Sequence, residues 1–141
     1  MTNDAQSQRF LFVVAVALID SQGQILVQQR PPGKPMAGLW EFAGGKVEPG
    51  ETPRAALVRE LTEELGITVS PDALVPATFA SELLGERQLL LLLFVAREWS
   101  GQPTAHHASA LRWVTPGELR RLPMPPADLP MIDALERLVV V

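Results

Sequence analysis

Three glutamates stand close together in the sequence, at spacings that place their side chains on one flank of a helix. Glu60, Glu63 and Glu64 are three and four residues apart along a helix predicted over residues 52–65. Residues at these spacings are neighbours on a helix surface, where like charges repel one another. A hard divalent cation such as Mg²⁺ or Mn²⁺ reverses the effect, because carboxylate oxygens are the ligands it prefers. The spacing therefore indicates a metal-dependent reaction, with a solvated acidic helix face as the alternative.

Residues around the three glutamates can complete such a site. Glu51 lies just before the predicted helix and can add a fourth oxygen donor or orient the other carboxylates. Arg59 can pair with Glu51 or Glu63 and hold the cluster in one geometry. Gly44 and Gly45 allow the backbone to come close, presenting a carbonyl to a metal or amides to a phosphate. We therefore treat these residues and the three glutamates as one candidate site.

The helix that carries the glutamates has a clear beginning and end. Thr52 has the residue type of an N-cap, Pro53 follows at the first helical position, and Gly66 is typical of a helix C-terminus. An apolar stripe for packing on the core is formed by leucines one turn apart, Leu57, Leu61 and Leu65. The glutamates lie beside this stripe rather than on it.

The rest of the chain alternates strand and turn signals. Strands are predicted at residues 10–20, 24–30, 39–45, 75–83, 88–99 and 111–114. The first two are joined by a hairpin turn at residues 20–23, and the third ends in a Gly-Gly turn. A last helix is predicted over residues 129–139. This pattern predicts an α/β or α+β fold, a mixed sheet flanked by helices, in a single domain over residues 1–141, with residues 1–8 as a flexible tail.

Composition limits the classes of function. The 141 residues include no cysteine, which excludes disulfides, zinc ribbons and thiol nucleophiles, and the two histidines, His106 and His107, are too few for a histidine metal cluster. The longest apolar runs are too short to span a bilayer, and the N-terminus lacks the layout of a signal peptide. With 16 acidic against 12 basic residues, the net charge of -4 argues against binding nucleic acid polymers. We expect a cytoplasmic protein without membrane association, either a monomer or a homodimer.

The segment from Gly45 to Ile67 resembles the Nudix box. In it a glycine is followed after five residues by a glutamate, and after seven more by Arg-Glu-aliphatic-any-Glu-Glu-any-Gly-aliphatic. The matching residues are Gly45, Glu51, Arg59, Glu60, Leu61, Glu63, Glu64, Gly66 and Ile67. Two flanking segments, residues 26–51 and 124–135, are similar to the MutT-type branch of that family.

The resemblance implies an α/β/α sandwich that hydrolyses a nucleoside diphosphate linked to another group, using Mg²⁺ or Mn²⁺. In the MutT-type branch the substrate is a nucleoside triphosphate, cleaved to the monophosphate and pyrophosphate, and some members act on oxidised guanine nucleotides. Glu51 and Arg59 belong to the catalytic set that the resemblance implies. The metal ligands would be Glu60, Glu63, Glu64 and the carbonyl of Gly44. One of the glutamates can instead act as general base, and the sequence does not assign which.

The resemblance also implies substrate contacts. Arg30, at the end of the second predicted strand, matches the family arginine that contacts substrate phosphate. Gly45 and Lys46 are placed with it among the substrate-binding residues. Although apolar strand residues more often belong to a core, a base pocket is expected to be lined by Phe42, Leu83 and Trp40.

Three positions depart from the family pattern. Ala43 replaces the usual proline, which predicts a slightly looser loop. His106 and His107 lie where many members have an additional glutamate, and His107 can ligate a metal, accept a proton or have no role. Asp128 replaces a loop asparagine that reads the base in guanine-selective members. An ionised aspartate only accepts hydrogen bonds, so Asp128 either reads donors such as guanine N1–H or caps the last helix.

The leading hypothesis is a Mg²⁺-dependent, MutT-like hydrolase of a nucleoside triphosphate, with 8-oxo-dGTP as a candidate substrate and nucleotide-pool sanitation as its role. One alternative is a Nudix hydrolase of another nucleoside diphosphate derivative, such as a pyrimidine triphosphate, a dinucleotide polyphosphate or an ADP-sugar. Another is a nucleotide-binding module without catalysis. The glutamates of the box, all retained in this chain, disfavour that last alternative.

Overall fold

Strand β1 (Phe10–Leu18) lies inside a mixed sheet of four strands. The structure is a computed structural model that describes residues 9–139. In it β1 pairs in parallel with β6 (Arg87–Ala96) and antiparallel with β4 (Ala43–Lys46). The edge strand β5 (Val75–Leu84) pairs antiparallel with β6, so the strand order is β4-β1-β6-β5.

A second sheet has three antiparallel strands. Its central strand β2 (Ile25–Gln29) pairs with β3 (Trp40–Glu41) on one side and with β7 (Ala110–Val114) on the other. Two short 3-10 helices, Pro71–Ala73 and Pro126–Asp128, lie in the connections between the strands and helices. Arg30 directly follows the last residue of β2, so the end of this strand fixes the position of the arginine.

Helices pack on both faces of the four-stranded sheet. They are α1 (Pro53–Leu65), the single turn α2 (Pro116–Leu119) and α3 (Leu129–Val139). Successive strand residues point to opposite faces, so one set of β1 side chains packs in the same core cluster as α1: Val14, Val16 and Leu18. The other set packs in the cluster that contains α3 residues: Ala15 and Ala17. The predicted mixed sheet flanked by helices is therefore confirmed.

Helix α1 begins and ends as its capping signals predict. The hydroxyl of Thr52 accepts a hydrogen bond from the amide of Ala55 at 3.1 Å, which satisfies a free donor of the first turn. Gly66 takes a left-handed conformation with φ of 68°, and its amide donates to the carbonyl of Thr62. The predicted stripe is completely buried: Leu57, Leu61 and Leu65. No helix in residues 9–139 is long and apolar enough to cross a membrane.

The predicted hairpin between the first two strands is wrong. The turn itself forms, because Asp20 Oδ1 accepts hydrogen bonds from the amides of Gln22 and Gln24. Beyond the turn, however, only one bridge joins the two strands, between Ile19 and Ile25. Strands β1 and β2 then diverge into different sheets, since each has other partners along its length.

The predicted Gly-Gly turn is also wrong, because β4 runs straight through Gly44 and Gly45. Gly44 pairs with Ala15 of β1, and a Cβ at Gly44 would collide with the backbone of Val14. The glycine is needed for close approach of two strands rather than for a turn. A smaller difference is that β6 stops at Ala96, before the predicted residue 99. The predicted tail over residues 1–8 lies outside the described residues.

The buried leucine stripe leads to a prediction about stability. Leu61 has no exposed surface, so Leu61→Ala removes buried methyl groups and leaves a cavity under α1. We expect a loss of about 2–5 kcal/mol in the free energy of unfolding, measured by urea denaturation followed by circular dichroism. Leu138→Ala is the matched control, because Leu138 is 42% exposed, and it should change stability by less than about 0.5 kcal/mol. Equal losses in the two variants would contradict the packing role of the stripe.

Candidate active site

The two partly buried glutamates of α1 face the glycines of β4. A Cβ at Gly45 would collide with the carboxylate of Glu60, so this side chain fills the space that a residue larger than glycine would need. Glu64, one turn further along α1, accepts a hydrogen bond from the Gly44 amide at 3.3 Å. The glycines therefore form the surface on which the two carboxylates rest.

Glu64 is held by two donors on the same oxygen. Gln28 Nε2 donates to Glu64 Oε1 at 2.8 Å, and the Gly44 amide donates to that same atom. Burial raises the pKa of Glu64, and these two hydrogen bonds lower it in part. The carboxylate is thus both desolvated and fixed in orientation.

The effect of burial is clearest in the pKa of Glu60. Burial, followed by the charge of Glu64, raises its pKa to about 7, although Arg59 opposes the shift. Its side chain is only 13% exposed, whereas that of Glu63 is 54% exposed. The helix spacing groups three glutamates, but the fold buries only Glu60 and Glu64 of them.

Arg59 connects the acidic residues on this flank. Its guanidinium makes a bidentate pair with Glu51, at 2.7 and 3.0 Å, and donates to the carbonyl of Lys46 at 3.1 Å. It also lies 3.4 Å from carboxylate oxygens of both Glu60 and Glu63. Hydrogen bonds from Arg59 hold the pKa of Glu51 at about 2. Of the two roles that the sequence leaves open, this geometry favours Glu51 as the residue that orients Arg59 and, through it, the cluster.

The residues present fit a hydrated Mg²⁺ ion better than a closed metal cage. Within residues 9–139, no three acidic or histidine side chains converge closely enough to enclose a metal. Glu63 is instead drawn towards Arg59. Mg²⁺ commonly keeps several waters and binds through one or two carboxylates plus substrate phosphates, which Glu60 and Glu64 can supply. The Gly44 carbonyl and Glu63 remain predicted ligands.

A cleft of about 440 Å³ opens beside Glu64. It brings together the predicted substrate-binding residues Arg30, Phe42, Gly45, Lys46 and Asp128, with Gly44 and Glu64. The cleft lining does not include the rest of the predicted catalytic set, Glu51, Arg59, Glu60 and Glu63, which lie beside it on and before α1. The predicted site residues thus form one continuous region.

The apolar wall of the cleft differs in part from the expected one. Phe42 lines the cleft and is 4% exposed, so it belongs to the core as well. Leu83 is exposed and lies outside the cleft, and the next residue, Leu84, lines it instead. Trp40 packs against the core without lining the cleft. The alternation of side chains along β5 explains the exchange of Leu83 for Leu84.

Arg30 is paired within the cleft. Its Nε lies 3.0 Å from Glu41 Oε1, and its Nη1 donates to the carbonyl of Pro35 at 3.3 Å. Burial raises the pKa of Glu41, and the charge of Arg30 lowers it in part. Glu41 thus holds the guanidinium at the cleft, where it is placed to meet an anionic ligand.

Asp128 faces the cleft rather than the last helix. It is only 8% exposed and lines the cleft, and its carboxylate accepts a hydrogen bond from the backbone amide of Phe42, which lies outside α3. Burial, followed by the charge of Glu41, raises the pKa of Asp128 to about 7, and the backbone amide of Phe42 lowers it in part. This placement favours base reading over helix capping, the two roles that the sequence leaves open.

The two histidines have different positions. The His106 amide donates to the carbonyl of Glu64 at 3.1 Å, and its Nδ1 donates to the carbonyl of Glu63 at 3.0 Å. It therefore satisfies free carbonyls at the end of α1. His107 lines a second, smaller cavity of about 310 Å³ that Glu64 and Arg30 also line. A role for His107 in metal binding or proton transfer stays a prediction.

Two residues of the site were missed at the sequence level, Gln28 and Glu41. Gln28 follows Leu26 on the face of β2 that points towards α1, so it is a polar residue at an inward position. Glu41 is a charged residue between the apolar residues of a short strand. A buried polar side chain requires a hydrogen-bond partner. A polar residue at an inward-pointing strand position is therefore the sequence signal that could have identified both residues.

Comparison with known proteins gives a consistent result. The family model described as NUDIX domain matches residues 9–135. A CTP pyrophosphohydrolase of Escherichia coli (strain K12) is 46% identical over 121 residues, which cover 86% of this chain and 88% of that protein. An 8-oxo-dGTP diphosphatase of Proteus vulgaris is 38% identical over 99 residues, 70% of this chain and 87% of that protein. The solution structure of the E. coli ORF135 protein superposes with a TM-score of 0.84 at 40% identity, covering 94% of this chain and 93% of that one.

The contact between Gly45 and Glu60 leads to a prediction. In Gly45→Ala the new methyl group must displace the Glu60 carboxylate, a flexible side chain, so the protein should fold while the site is disturbed. We expect Mn²⁺ affinity, measured by electron paramagnetic resonance titration, to fall about tenfold or more. Gly117→Ala is the control, since a Cβ there meets nothing closer than 4.0 Å. Unchanged affinity in Gly45→Ala would remove Glu60 from the metal site.

Proposed function

Because this chain belongs to the Nudix family, in its MutT-like branch, and is a pyrophosphohydrolase of nucleoside triphosphates, we propose that its substrate is CTP. The products would be CMP and pyrophosphate, and the reaction would require Mg²⁺, with Mn²⁺ as a substitute. The observation that carries the proposal is the buried, protonatable carboxyl group of Asp128 at the wall of the cleft.

The residues of the site suit hydrolysis of a phosphoric anhydride. A bound Mg²⁺ supplies neutralisation of the charge on the phosphate oxygens, and Glu60 and Glu64 would hold it. One carboxylate of the cluster takes the proton of the attacking water. Arg30 would bind a phosphate of the substrate through its guanidinium. Arg59, fixed by Glu51, keeps the carboxylates in place during the reaction.

The Watson–Crick edge of cytosine presents an amino donor beside a ring nitrogen acceptor. A neutral carboxyl group matches this edge, because its carbonyl oxygen accepts from the amino group and its hydroxyl donates to the ring nitrogen. Burial makes the neutral form of Asp128 available near neutral pH, since it raises the pKa to about 7. Guanine presents two adjacent donors, N1–H and N2–H, which an ionised carboxylate matches better.

The comparisons support the pyrimidine alternative better than the oxidised guanine nucleotide. The relative named for CTP is 46% identical to this chain, whereas the 8-oxo-dGTP diphosphatase of P. vulgaris is 38% identical. With either candidate substrate the reaction is the one expected from the sequence, hydrolysis of a nucleoside triphosphate. A binding module without catalysis is disfavoured by the complete set of box glutamates.

A second candidate substrate is 8-oxo-dGTP, which one observation favours. Oxidation of guanine creates an N7–H donor beside the O6 acceptor. A neutral Asp128 can accept from the first and donate to the second, as an asparagine would. The two candidates therefore compete for the same side chain, and the choice between them depends on turnover measurements.

We predict pyrophosphate release from CTP. With Mg²⁺, orthophosphate should appear only when inorganic pyrophosphatase is added, and EDTA should abolish turnover. Glu64→Gln should lower kcat roughly 100-fold or more, because it replaces the carboxylate that would hold Mg²⁺ or accept the proton by a neutral amide. Glu86→Gln, at an exposed turn, is the control and should keep wild-type activity. Direct release of orthophosphate would contradict the cleavage site, and preference for 8-oxo-dGTP across a nucleotide panel would favour the second candidate.

The protonation of Asp128 leads to a prediction about selectivity. Below pH of about 7 the neutral form, which suits cytosine, predominates, and above it the ionised form, which suits guanine, takes over. The ratio of kcat/KM for CTP to that for dGTP should therefore fall about 3- to 10-fold between pH 6 and pH 8.5, the value of one hydrogen bond. Titration of the glutamates affects both substrates and cancels in the ratio.

Asp128→Asn provides the control for that experiment. An amide does not titrate and keeps one donor and one acceptor at every pH. The ratio should then be constant across the range, near the low-pH value of the wild type. A wild-type ratio that does not change with pH, or an Asn variant that retains the full pH dependence, would exclude Asp128 as the residue that reads the base.

A further inference from the structure

Gln28 is a buried polar side chain on an otherwise apolar face. It lies on β2, the central strand of the three-stranded sheet, and is 7% exposed. Leu26, two residues earlier on the same face, packs in the core cluster that contains the leucines of α1. In residues 9–139, Gln28 and Asp128 are the buried polar residues. Burying an amide without a hydrogen bond costs free energy, so this position requires a polar partner.

The partner of Gln28 is the carboxylate of Glu64. The amide nitrogen Nε2 donates to Glu64 Oε1 at 2.8 Å, a short and charge-assisted contact between residues 36 positions apart. The Gly44 amide donates to the same oxygen at 3.3 Å. Both donors act on Oε1, and neither acts on Oε2.

The two oxygens of the Glu64 carboxylate have different hydrogen bonding, and this difference defines the orientation of the group. Every buried side-chain nitrogen or oxygen in the described residues has a hydrogen-bond partner. Because no protein donor reaches Glu64 Oε2 there, this atom must be accessible to solvent. The carboxylate thus has one oxygen tethered to the protein and one that is accessible to solvent, and Glu64 lines both the cleft and the second cavity.

We infer that Gln28 is a positioning residue, which turns Oε2 of Glu64 outwards to bind the metal ion. It acts through Glu64, to whose Oε1 its amide donates. Hydrogen bonds to a ligating carboxylate commonly orient it and strengthen metal binding. The inference rests on the proposed function only in taking Glu64 as a metal ligand.

A purely structural role makes a different prediction. Methionine has a length similar to that of glutamine and fits an apolar face, so Gln28→Met should leave the thermal unfolding temperature close to that of the wild type. If Gln28 served only the core, Gln28→Met would be neutral for metal binding too. If it positions Glu64, the variant folds but binds metal poorly.

The test is Mn²⁺ binding to the full chain without nucleotide, followed by electron paramagnetic resonance. We expect Gln28→Met to weaken binding about tenfold, the usual effect of removing a hydrogen bond to a ligand. At saturating Mg²⁺, kcat for CTP should fall about tenfold while KM changes less than about twofold. Gln29→Met is the matched control, because Gln29 is adjacent on β2 and its amide donates instead to the Gly38 carbonyl at 3.2 Å. This control should match the wild type in both measurements.

A double-mutant cycle decides whether Gln28 acts through Glu64. In a Glu64→Gln background, Gln28→Met should cause no further loss of Mn²⁺ affinity. An undiminished loss in that background, or wild-type affinity in Gln28→Met alone, would overturn the inference. Gln28→Asn, whose amide is one methylene shorter, should weaken binding similarly and replaces the methionine variant if that one does not fold. Absence of Mn²⁺ binding by the wild type would count against the proposed function instead.

Discussion

The burial of two neighbouring carboxylates between α1 and β4 is the constraint on which the rest of the structure depends. Glu60 and Glu64 carry like charges on adjacent turns of one helix, and burial raises the pKa of both. Desolvated and mutually repelling groups cost stability unless they are paired. Two glycines lie in the middle of β4, where glycine is unfavourable, and the burial of Glu60 accounts for one of them. Gly44 lets β4 approach β1, and Gly45 leaves room for the Glu60 carboxylate.

The surrounding residues compensate for this burial only in part. Gln28 and the Gly44 amide satisfy one oxygen of Glu64, and Arg59 lies beside Glu60. The strongest contact of Arg59, however, is its bidentate pair with Glu51. One guanidinium thus faces several carboxylates, and the cluster remains acidic. A site with this residual charge suits a divalent cation, which would remove the repulsion that the protein leaves uncompensated.

Local features of the fold could be predicted from the sequence, and long-range features could not. The ends of α1 depend on capping residues within one turn of each end, and the common flank of its glutamates follows from helix periodicity. Gly44 and Gly45 suggested a turn because two glycines are a local turn signal, whereas their real neighbours, Val14 and Glu60, are distant in sequence. Gln28 was missed for the same reason, since Glu64 is 36 residues away. The predicted pairing of β1 with β2 is wrong because the partners of both strands, among them β4, β6 and β7, come from distant parts of the chain.

Glu41 links the two ends of the cleft electrostatically. Its charge contributes to the raised pKa of Asp128 at one end of the cleft and of Glu64 at the other. Arg30 offsets that charge through an ion pair of 3.0 Å. A phosphate group bound at Arg30 would compete with Glu41 for the guanidinium and would leave the charge of Glu41 less compensated. The Arg30–Glu41 pair, which is only partly buried, therefore lies between the position where we propose phosphate binding and Asp128, which we propose to read the base.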